Sequence, residues 1–294
     1  MSNTLSPVTP LPADPGDFSL DTLERQALAA QKRRSTVVIT LRFLIFFAVT
    51  GAWEGAAALG WIDPFFFGRP SGVAQQIREW VVDGTSQGSL WAQMGVTLEE
   101  TVLGFLIGSA AGIVCGIALG RNRFLADVFS IYIKIANSIP RVVLGSIFII
   151  SLGLGMASKV ALAVVMVFFV VFANAFQGVR EADRAMIANA QILGASPWQV
   201  TTTIVIPSAM SWILASLHVS FGFALVGAVV GEFLGSKQGI GLLISTAQGA
   251  FNANGVFAAM VILAVMALGA EYIITLIENR LVRWRPGHLA EPAT

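Results

Sequence analysis

Charged residues are scarce in this chain: only 12% of its 294 residues are Asp, Glu, Lys or Arg, whereas 55% are hydrophobic. A soluble domain of this length does not need so apolar a composition, so the soluble class is excluded. The eighteen basic residues nearly balance the seventeen acidic ones, so no overall basicity indicates a nucleic-acid partner. The single cysteine, Cys115, excludes a disulfide within the chain.

Residues that carry chemistry are also few. The two histidines, His218 in an apolar run and His288 near the end, have no neighbours at metal-ligand spacing. The motifs G-x-x-x-x-G-K-[ST], H-E-x-x-H and G-x-S-x-G do not occur. The sequence therefore predicts no catalytic residue, no metal site and no cofactor bound by this chain. His218 is interpreted as a polar residue bonded to a neighbouring helix, with a proton relay as the alternative.

Long apolar segments, by contrast, recur along the chain. A helix needs about 20 mostly apolar residues to cross the hydrocarbon core of a bilayer. Six segments meet this length, and Lys134 and Arg141 interrupt the third: Val37–Leu59, Thr101–Gly120, Val128–Leu152, Val160–Val179, Ser208–Gly231 and Val256–Ile277. The sequence predicts an all-α polytopic membrane protein with about six transmembrane helices.

The distribution of basic residues predicts the orientation of these helices. With the N-terminus in the cytoplasm, eleven basic residues lie inside, namely Arg25, Lys32, Arg33, Arg34, Arg121, Arg123, Arg180, Arg184, Arg280, Arg283 and Arg285. Four lie outside, namely Arg69, Arg78, Lys159 and Lys237. Because basic residues are enriched in cytoplasmic loops, both termini are predicted to be cytoplasmic.

The segments outside the spans give the predicted domain boundaries. Residues 1–35 are interpreted as a cytoplasmic tail and not a signal peptide, because four early prolines interrupt a stretch without an apolar core. Within this tail, an interfacial amphipathic helix over Phe18–Ala30 and a solvated linker are both left open. Residues 36–285 form the predicted transmembrane domain, and residues 286–294 a second cytoplasmic tail. Pro70–Val82 is predicted to be an interfacial helix capped by Ser71.

Two rows of glycines indicate close helix packing. In GFLIGSAAGIVCGIALG, glycines recur every four residues and so share one helical face: Gly104, Gly108, Gly112, Gly116 and Gly120. A shorter row contains Gly227, Gly231 and Gly235. Small residues at this spacing let helix backbones approach closely in membranes. Helix packing is the favoured interpretation, and a smooth wall along a transport pathway is the alternative.

The polar segment 181–207 is predicted to form two short helices joined at a glycine. Gly194 ends the first helix, which begins near Glu181. Ser196, Pro197 and Gln199 have the pattern of a capping box with proline in the first helical position of the second helix. Pro207 is predicted to close that helix and open the next span.

At these residues the chain resembles the permease subunits of binding-protein-dependent ABC importers. Their signature is E-A-A, three residues, Gly, nine residues, Ile, one residue, Leu-Pro. Ala190, Gly194, Ile204 and Pro207 match it, and the departures are Ala188, Asn189 and Ile206. The resemblance covers about Pro70 to Arg285. Within this family the chain is most similar to the nitrate, taurine and alkanesulfonate branch. The segments that carry this similarity are PSGVAQQI, TLEETVLGFLIGSAAGIVCGIALG, SIPRVVLGSIF, SLGLGMASKV, VVGEFLGSKQGIGLLI and LIENRLVRWRP.

The resemblance implies a type I importer fold in a bacterial inner membrane. It implies that residues 181–207 couple to ABC ATPases, through Ala190, Gly194, Ala195, Ser196, Pro197, Trp198, Gln199, Ile204 and Pro207. It further implies two ATPase subunits that bind ATP and magnesium, a second permease copy in a homodimer, and a periplasmic or lipid-anchored substrate-binding protein. The implied substrate is a small anion such as nitrate, a sulfonate, taurine or bicarbonate.

A buried charge marks the predicted substrate path. Arg141 follows Pro140, roughly 20 Å into the third span at 1.5 Å per residue from Val128. A guanidinium at this depth needs water, a partner or a cavity. An ion pair with Glu232 and a place on the path are both left open, and the path candidates are Pro140, Arg141 and Glu232. The alternative function is a channel or secondary transporter without an ATPase, and a membrane enzyme is disfavoured because catalytic motifs are missing.

Overall fold

The computed structural model describes residues 20–281, which form helices joined by turns and short loops, and the one β feature in this range is an isolated bridge between Thr85 and Gly88. The helices are α1 (Leu20–Ala58), α2 (Pro64–Phe67), α3 (Pro70–Val82), α4 (Leu90–Arg121), α5 (Arg123–Ser138), α6 (Arg141–Leu152), α7 (Met156–Arg180), α8 (Arg184–Ile192), α9 (Pro197–Val200), α10 (Ile206–Leu234), α11 (Ile240–Gly249) and α12 (Ala253–Leu281), with a π-helical segment at Thr201–Val205 between α9 and α10. The predicted all-α fold is confirmed.

The chain divides into two compact units, residues 1–61 and 62–294. The first contains α1, a single helix whose part Gln31–Ala58 is long and apolar enough to cross a membrane. The sequence allowed either a helix or a linker over Phe18–Ala30. The structure has a helix from Leu20 onward, continuous with the span. The predicted tail before Leu20 and the tail at 286–294 lie outside the described residues.

Five helices are long and apolar enough to span a bilayer, and a bent pair supplies the sixth. The pair consists of α5 and α6, whose axes differ by 85°. The third predicted span, Val128–Leu152, is therefore divided into two helices that meet at a sharp bend. Pro140 explains the bend, because it has no amide hydrogen and disfavours helical geometry in the preceding residue. Ile139 accordingly has extended backbone angles, φ −75° and ψ 125°.

The core of the second unit lies where α4, α7 and α10 pack together. Small and β-branched residues of α7 and α10 fill it, including Ala163, Val167, Val171, Ala224 and Ala228, all completely buried. The outward face of α4, by contrast, exposes Leu106 and Val114. An apolar outer surface of this kind is suited to contact with lipid chains.

The glycine row of α4 faces α7 along its whole length. A methyl group added at Gly108 would lie 2.8 Å from the carbonyl oxygen of Val164, and one at Gly112 would lie 2.9 Å from that of Phe168. Gly104, Gly116 and Gly120 are equally close to α7, and Gly227 and Gly231 of α10 contact α7 at Ala163 and Lys159. Both glycine rows therefore serve close helix packing in this conformation.

Two predicted helix ends differ from the observed ones. Helix α3 has the predicted bounds, but Pro70 occupies its first position, so Arg69 and not Ser71 is the cap residue. Pro207 does not close a helix, because α9, the π segment and α10 run on as one apolar length from Pro197 to Leu234. In the π segment the Ile206 amide donates to the Thr201 carbonyl, a register that inserts one residue and keeps the helix continuous.

Candidate functional sites

The segment between α7 and α10 forms a sharp elbow at Gly194. Asp183 caps α8 by accepting from the Ala185 amide at 2.8 Å, so this helix begins at Arg184 and not at Glu181. Gly194 has φ +84°, a left-handed conformation that favours glycine. The Ala195 amide donates to the Ala190 carbonyl at 3.0 Å across the turn, a pattern typical of a glycine C-cap.

The start of α9 is held by a complete capping box. The Ser196 hydroxyl accepts from the Gln199 amide at 3.3 Å, and the Gln199 side chain accepts from the Ser196 amide at 2.7 Å. Pro197 takes the first helical position, where its missing amide hydrogen costs nothing. Hydrogen bonds therefore close α8 and begin α9 on the two sides of Gly194, so the elbow is a defined structure.

The elbow has one packed face and one exposed apolar face. Val200, Ile204 and Val205 are buried against α7 and the start of α10, with Ala190 and Ala195 partly buried beside them. On the other face, Ile192 is 82% exposed, Leu193 87% and Trp198 68%. Ile192 and Leu193 lie in the polar segment between two spans, so lipid contact does not explain them. Contiguous exposed apolar surface of this kind is typical of an interaction site.

A second site is a buried polar cluster around Glu232. One carboxylate oxygen of Glu232 lies 2.7 Å from the Thr97 hydroxyl, and the other accepts from the Gly241 amide at 2.7 Å. The Thr97 hydroxyl also accepts from the Ile240 amide at 2.9 Å, and the Gln93 side chain accepts from the Gly239 amide at 2.7 Å. Side chains of α4 and α10 thereby satisfy the first amides of α11, whose own cap residue is a glycine.

Two further charged residues complete this polar cluster. Lys159 of α7 is completely buried and donates to the carbonyls of Leu154 and Gly155. Glu100 of α4 is 2% exposed and lies close enough to Glu232 and Lys159 to interact electrostatically with both. Buried charges in a membrane domain are costly unless they are paired, so the cluster ties α4, α7, α10 and α11 to one arrangement.

Most of this polar cluster was not predicted from the sequence. Lys159 was expected outside the membrane, and no role was predicted for Gln93, Thr97 or Glu100. A signal was present, because Gln93, Thr97 and Glu100 share a helical face that continues into the glycine row starting at Gly104. Polar residues on the packing face of a membrane helix indicate a buried partner.

Replacing Thr97 with valine should destabilise the second unit by about 2–3 kcal/mol, because it leaves a buried carboxylate oxygen and the Ile240 amide without their partner. Thr101→Val is the matched control, since the Thr101 hydroxyl is buried on the same helix but bonds only to the Thr97 carbonyl. Thermal unfolding of the two purified proteins measures the difference. Equal melting temperatures would contradict the proposed anchoring of α11.

The described contacts of the predicted path residues are with different parts of the chain. Pro140 and Arg141 lie at the bend between α5 and α6, and the Arg141 guanidinium is 5.2 Å from the ring centre of Phe169 on α7. Glu232 has no exposed surface, and its described contacts are those of the polar cluster. His218 lies 3.3 Å from the Thr275 hydroxyl of α12, so it bonds a neighbouring helix as predicted. Among the described side chains, no three His, Cys, Asp or Glu residues are grouped to hold a metal.

Five helices long and apolar enough to cross a bilayer, a bent pair that supplies a sixth, and a fold shared with solved type I ABC importer permeases assign the chain to that fold class. The protein-family model of binding-protein-dependent transport system inner membrane components matches residues 108–283, so the chain belongs to this family. The chain is therefore a membrane subunit of an ABC importer, and the family to which it belongs is generally non-enzymatic.

Two relatives and one solved structure illustrate the family. A protein of Bacillus subtilis (strain 168) that is named as an aliphatic sulfonates transport permease is 27% identical, over 81% of this chain and 84% of the relative. The riboflavin transport system permease protein of Chloroflexus aurantiacus is 30% identical, over 84% of this chain and 88% of its own length. An inward-facing crystal form of the MetNI methionine ABC transporter has the same fold, with a TM-score of 0.56 and 19% identity over 66% of this chain and 96% of that one.

Proposed function

We propose that this chain moves a small anion into the cell when separate ATPase subunits act on its elbow. The observation that carries the proposal is the exposure of three large apolar side chains, Ile192, Leu193 and Trp198, on a turn that the Ala195–Ala190 hydrogen bond closes and a capped helix follows. A rigid apolar projection fits a cleft on a partner and transmits its movement to α7 and α10. The channel or secondary-transporter alternative gives no role to such a projection.

The proposed assembly follows from this role. Two ATPase subunits bind ATP and magnesium, two copies of this chain form the membrane path, and a binding protein delivers the substrate on the opposite side. The elbow and both termini then face the cytoplasm, in agreement with eleven basic residues on that side against four on the other. The polar cluster at the far ends of α4, α7 and α10 lies toward the outside.

A sulfonate or a similar oxyanion is the proposed substrate. The sulfonate permease relative and the basic Arg141 at the broken span both favour an anion. The riboflavin permease relative favours a second candidate, a heterocyclic vitamin. Arginine favours the oxyanion, because its planar guanidinium matches the geometry of an oxyanion. Binding of a flavin ring does not require such a group.

Uptake by the reconstituted complex tests the proposal. The complex of this chain and its ATPase is reconstituted in liposomes together with the binding protein. These liposomes are expected to accumulate taurine or an alkanesulfonate only when ATP is present on the side of the membrane that holds the ATPase. The purified chain alone is expected to hydrolyse no ATP, because it has no phosphate-binding loop of the G-x-x-x-x-G-K-[ST] type. Uptake of riboflavin but not of taurine would move the proposal to the second candidate, and ATP hydrolysis by the isolated chain would contradict it.

Arg141 is proposed to place positive charge beside the path. Arg141→Gln should lower the maximal uptake rate about tenfold or more, since one lost charge-assisted hydrogen bond corresponds to about 1.5–3 kcal/mol. Arg141→Lys should retain a larger share of activity because it keeps the charge. The measurement is uptake at equal amounts of assembled complex, and wild-type uptake by Arg141→Gln would discard the role. Restored uptake by Arg141→Glu combined with Glu232→Arg would instead indicate an ion pair.

A further inference from the structure

A cavity of about 270 Å³ lies between the elbow and the ends of α4 and α7. Three arginines line it from three helices: Arg121 at the end of α4, Arg180 at the end of α7 and Arg184 at the start of α8. Gln191 and Thr201 add polar side chains from the two sides of the elbow. The polar part of the lining is therefore basic, and apolar residues such as Val179, Ile187 and Val200 form the rest.

The three arginine side chains have no acidic partner in the part of the chain that the structure describes. Among the described side chains, none of the three guanidinium groups forms an ion pair, and the described contact of Arg180 is with the ring of Phe176. The two nearby acids have other bonds, since Glu181 accepts from Gln177 and Asp183 caps the Ala185 amide. The positive charge of the cavity is available to a ligand.

Helix dipoles explain only two of these arginines. Arg121 and Arg180 end α4 and α7, where a cation is favoured by the helix dipole. Arg184 occupies the first position of α8, where the dipole disfavours a cation. A negative ligand between the three side chains offsets that disadvantage, so the arrangement fits an anion better than an empty basic surface.

We propose that this cavity binds a tetrahedral oxyanion, a phosphate or sulfonate group, and that the bound group fixes the elbow against α4 and α7. Arginine binds such groups through two parallel N–H bonds, and basic pockets between transmembrane helices hold lipid headgroups. Two sources offer the same chemistry: the headgroup of an anionic phospholipid and a free anion in solution. The volume suits a headgroup or a small anion, since it lies below the 300–1,000 Å³ of sites for larger ligands.

The test uses the full-length chain in nanodiscs, without the ATPase, so its outcome does not depend on transport. The first arm titrates sodium sulfate against sodium chloride at equal ionic strength in phosphatidylcholine nanodiscs and follows the melting temperature. The second arm measures by native mass spectrometry how much phosphatidylglycerol is retained from mixed nanodiscs. The variants are Arg121→Gln and Arg184→Gln, with Arg184→Lys as the conservative change. Arg280→Gln is the matched control, because Arg280 is an exposed arginine at the end of α12 that does not line the cavity.

The proposal predicts that at least one probe binds wild type and Arg280→Gln about tenfold more tightly than the two cavity variants, the change expected for one lost charged hydrogen bond. Loss confined to the sulfate arm identifies a free anion, and loss confined to the lipid arm identifies a headgroup. Arg184→Lys should retain part of the binding. Equal binding by all proteins, or no binding by wild type in either arm, would overturn the proposal. Arg184→Gln keeps the test valid if Arg121→Gln does not fold, because Arg184 is exposed on a short peripheral helix.

Discussion

Replacing Gly194 with valine is expected to abolish ATP-driven uptake while the protein still folds and assembles. Gly194 has φ +84°, and a Cβ at this position would meet nothing within 4 Å, so the substitution acts through backbone conformation alone. A non-glycine residue in the left-handed region costs about 1–2 kcal/mol, and a β-branched one more. The turn should then leave this conformation, break the Ala195–Ala190 hydrogen bond and change the direction of α9.

The chain offers a close control for this experiment. Gly153 follows α6, has φ +80° and also has nothing within 4 Å of its Cβ position, so Gly153→Val places a β-branched residue at a positive φ away from the elbow. Gly194→Asn should retain most activity because asparagine tolerates the left-handed region. Ser196→Ala should have a smaller effect, since it loses a cap worth about 1 kcal/mol. Uptake and ATPase stimulation are measured in the assembled complex, and normal values for Gly194→Val would show that the elbow does not couple.

Gly108→Val is expected to have the largest effect on stability. A Cβ at Gly108 would lie 2.8 Å from both the Val164 carbonyl oxygen and the Val167 Cβ on α7. Neither the backbone nor a β-branched side chain can move aside easily, so α4 and α7 must separate. Overpacking typically costs 1–3 kcal/mol, and we expect about 3 kcal/mol or more here because a backbone oxygen is involved.

Gly95→Val is the matched control for this second substitution. Gly95 lies in the same helix, but a Cβ there would meet nothing within 4 Å. Its replacement should change the unfolding temperature little, whereas Gly108→Val should lower both the unfolding temperature and the yield of folded protein in the membrane. Similar melting curves for the two variants would contradict the close packing of α4 on α7.

The elbow and the glycine rows could be predicted because their signals are local. A left-handed glycine, a Ser-Pro-x-Gln capping box and glycines every four residues each depend on neighbours in sequence. Pro140 is a local signal of the same kind, and it marks the point where the predicted span Val128–Leu152 bends. The observed 85° shows how completely the proline ends α5.

The polar cluster could not be predicted because its contacts are far apart in sequence. Thr97 and Glu232 are separated by 135 residues, and Thr97 and Ile240 by 143. Lys159 was assigned to a loop because a lone lysine near the end of a span is usually solvated, whereas here two carbonyls and two acids surround it. The local pattern does not predict the π segment, because the hydroxyls of its three consecutive threonines bond the carbonyls four residues earlier, as they would in an uninterrupted α-helix.

Cross-linking from the tip of the elbow tests most directly whether a separate ATPase acts there. A cysteine replaces either Leu193, which is 87% exposed, or Ile150 of α6, which is 84% exposed. Both variants are made in a Cys115→Ala chain, so that the new cysteine is the only one in this chain, and are purified with the ATPase. We predict that a short bifunctional reagent joins Leu193→Cys to the ATPase, that the yield changes when ATP is added, and that Ile150→Cys gives no such product. Absence of a cross-link from Leu193→Cys in an intact complex, or equal yields from both positions, would contradict it.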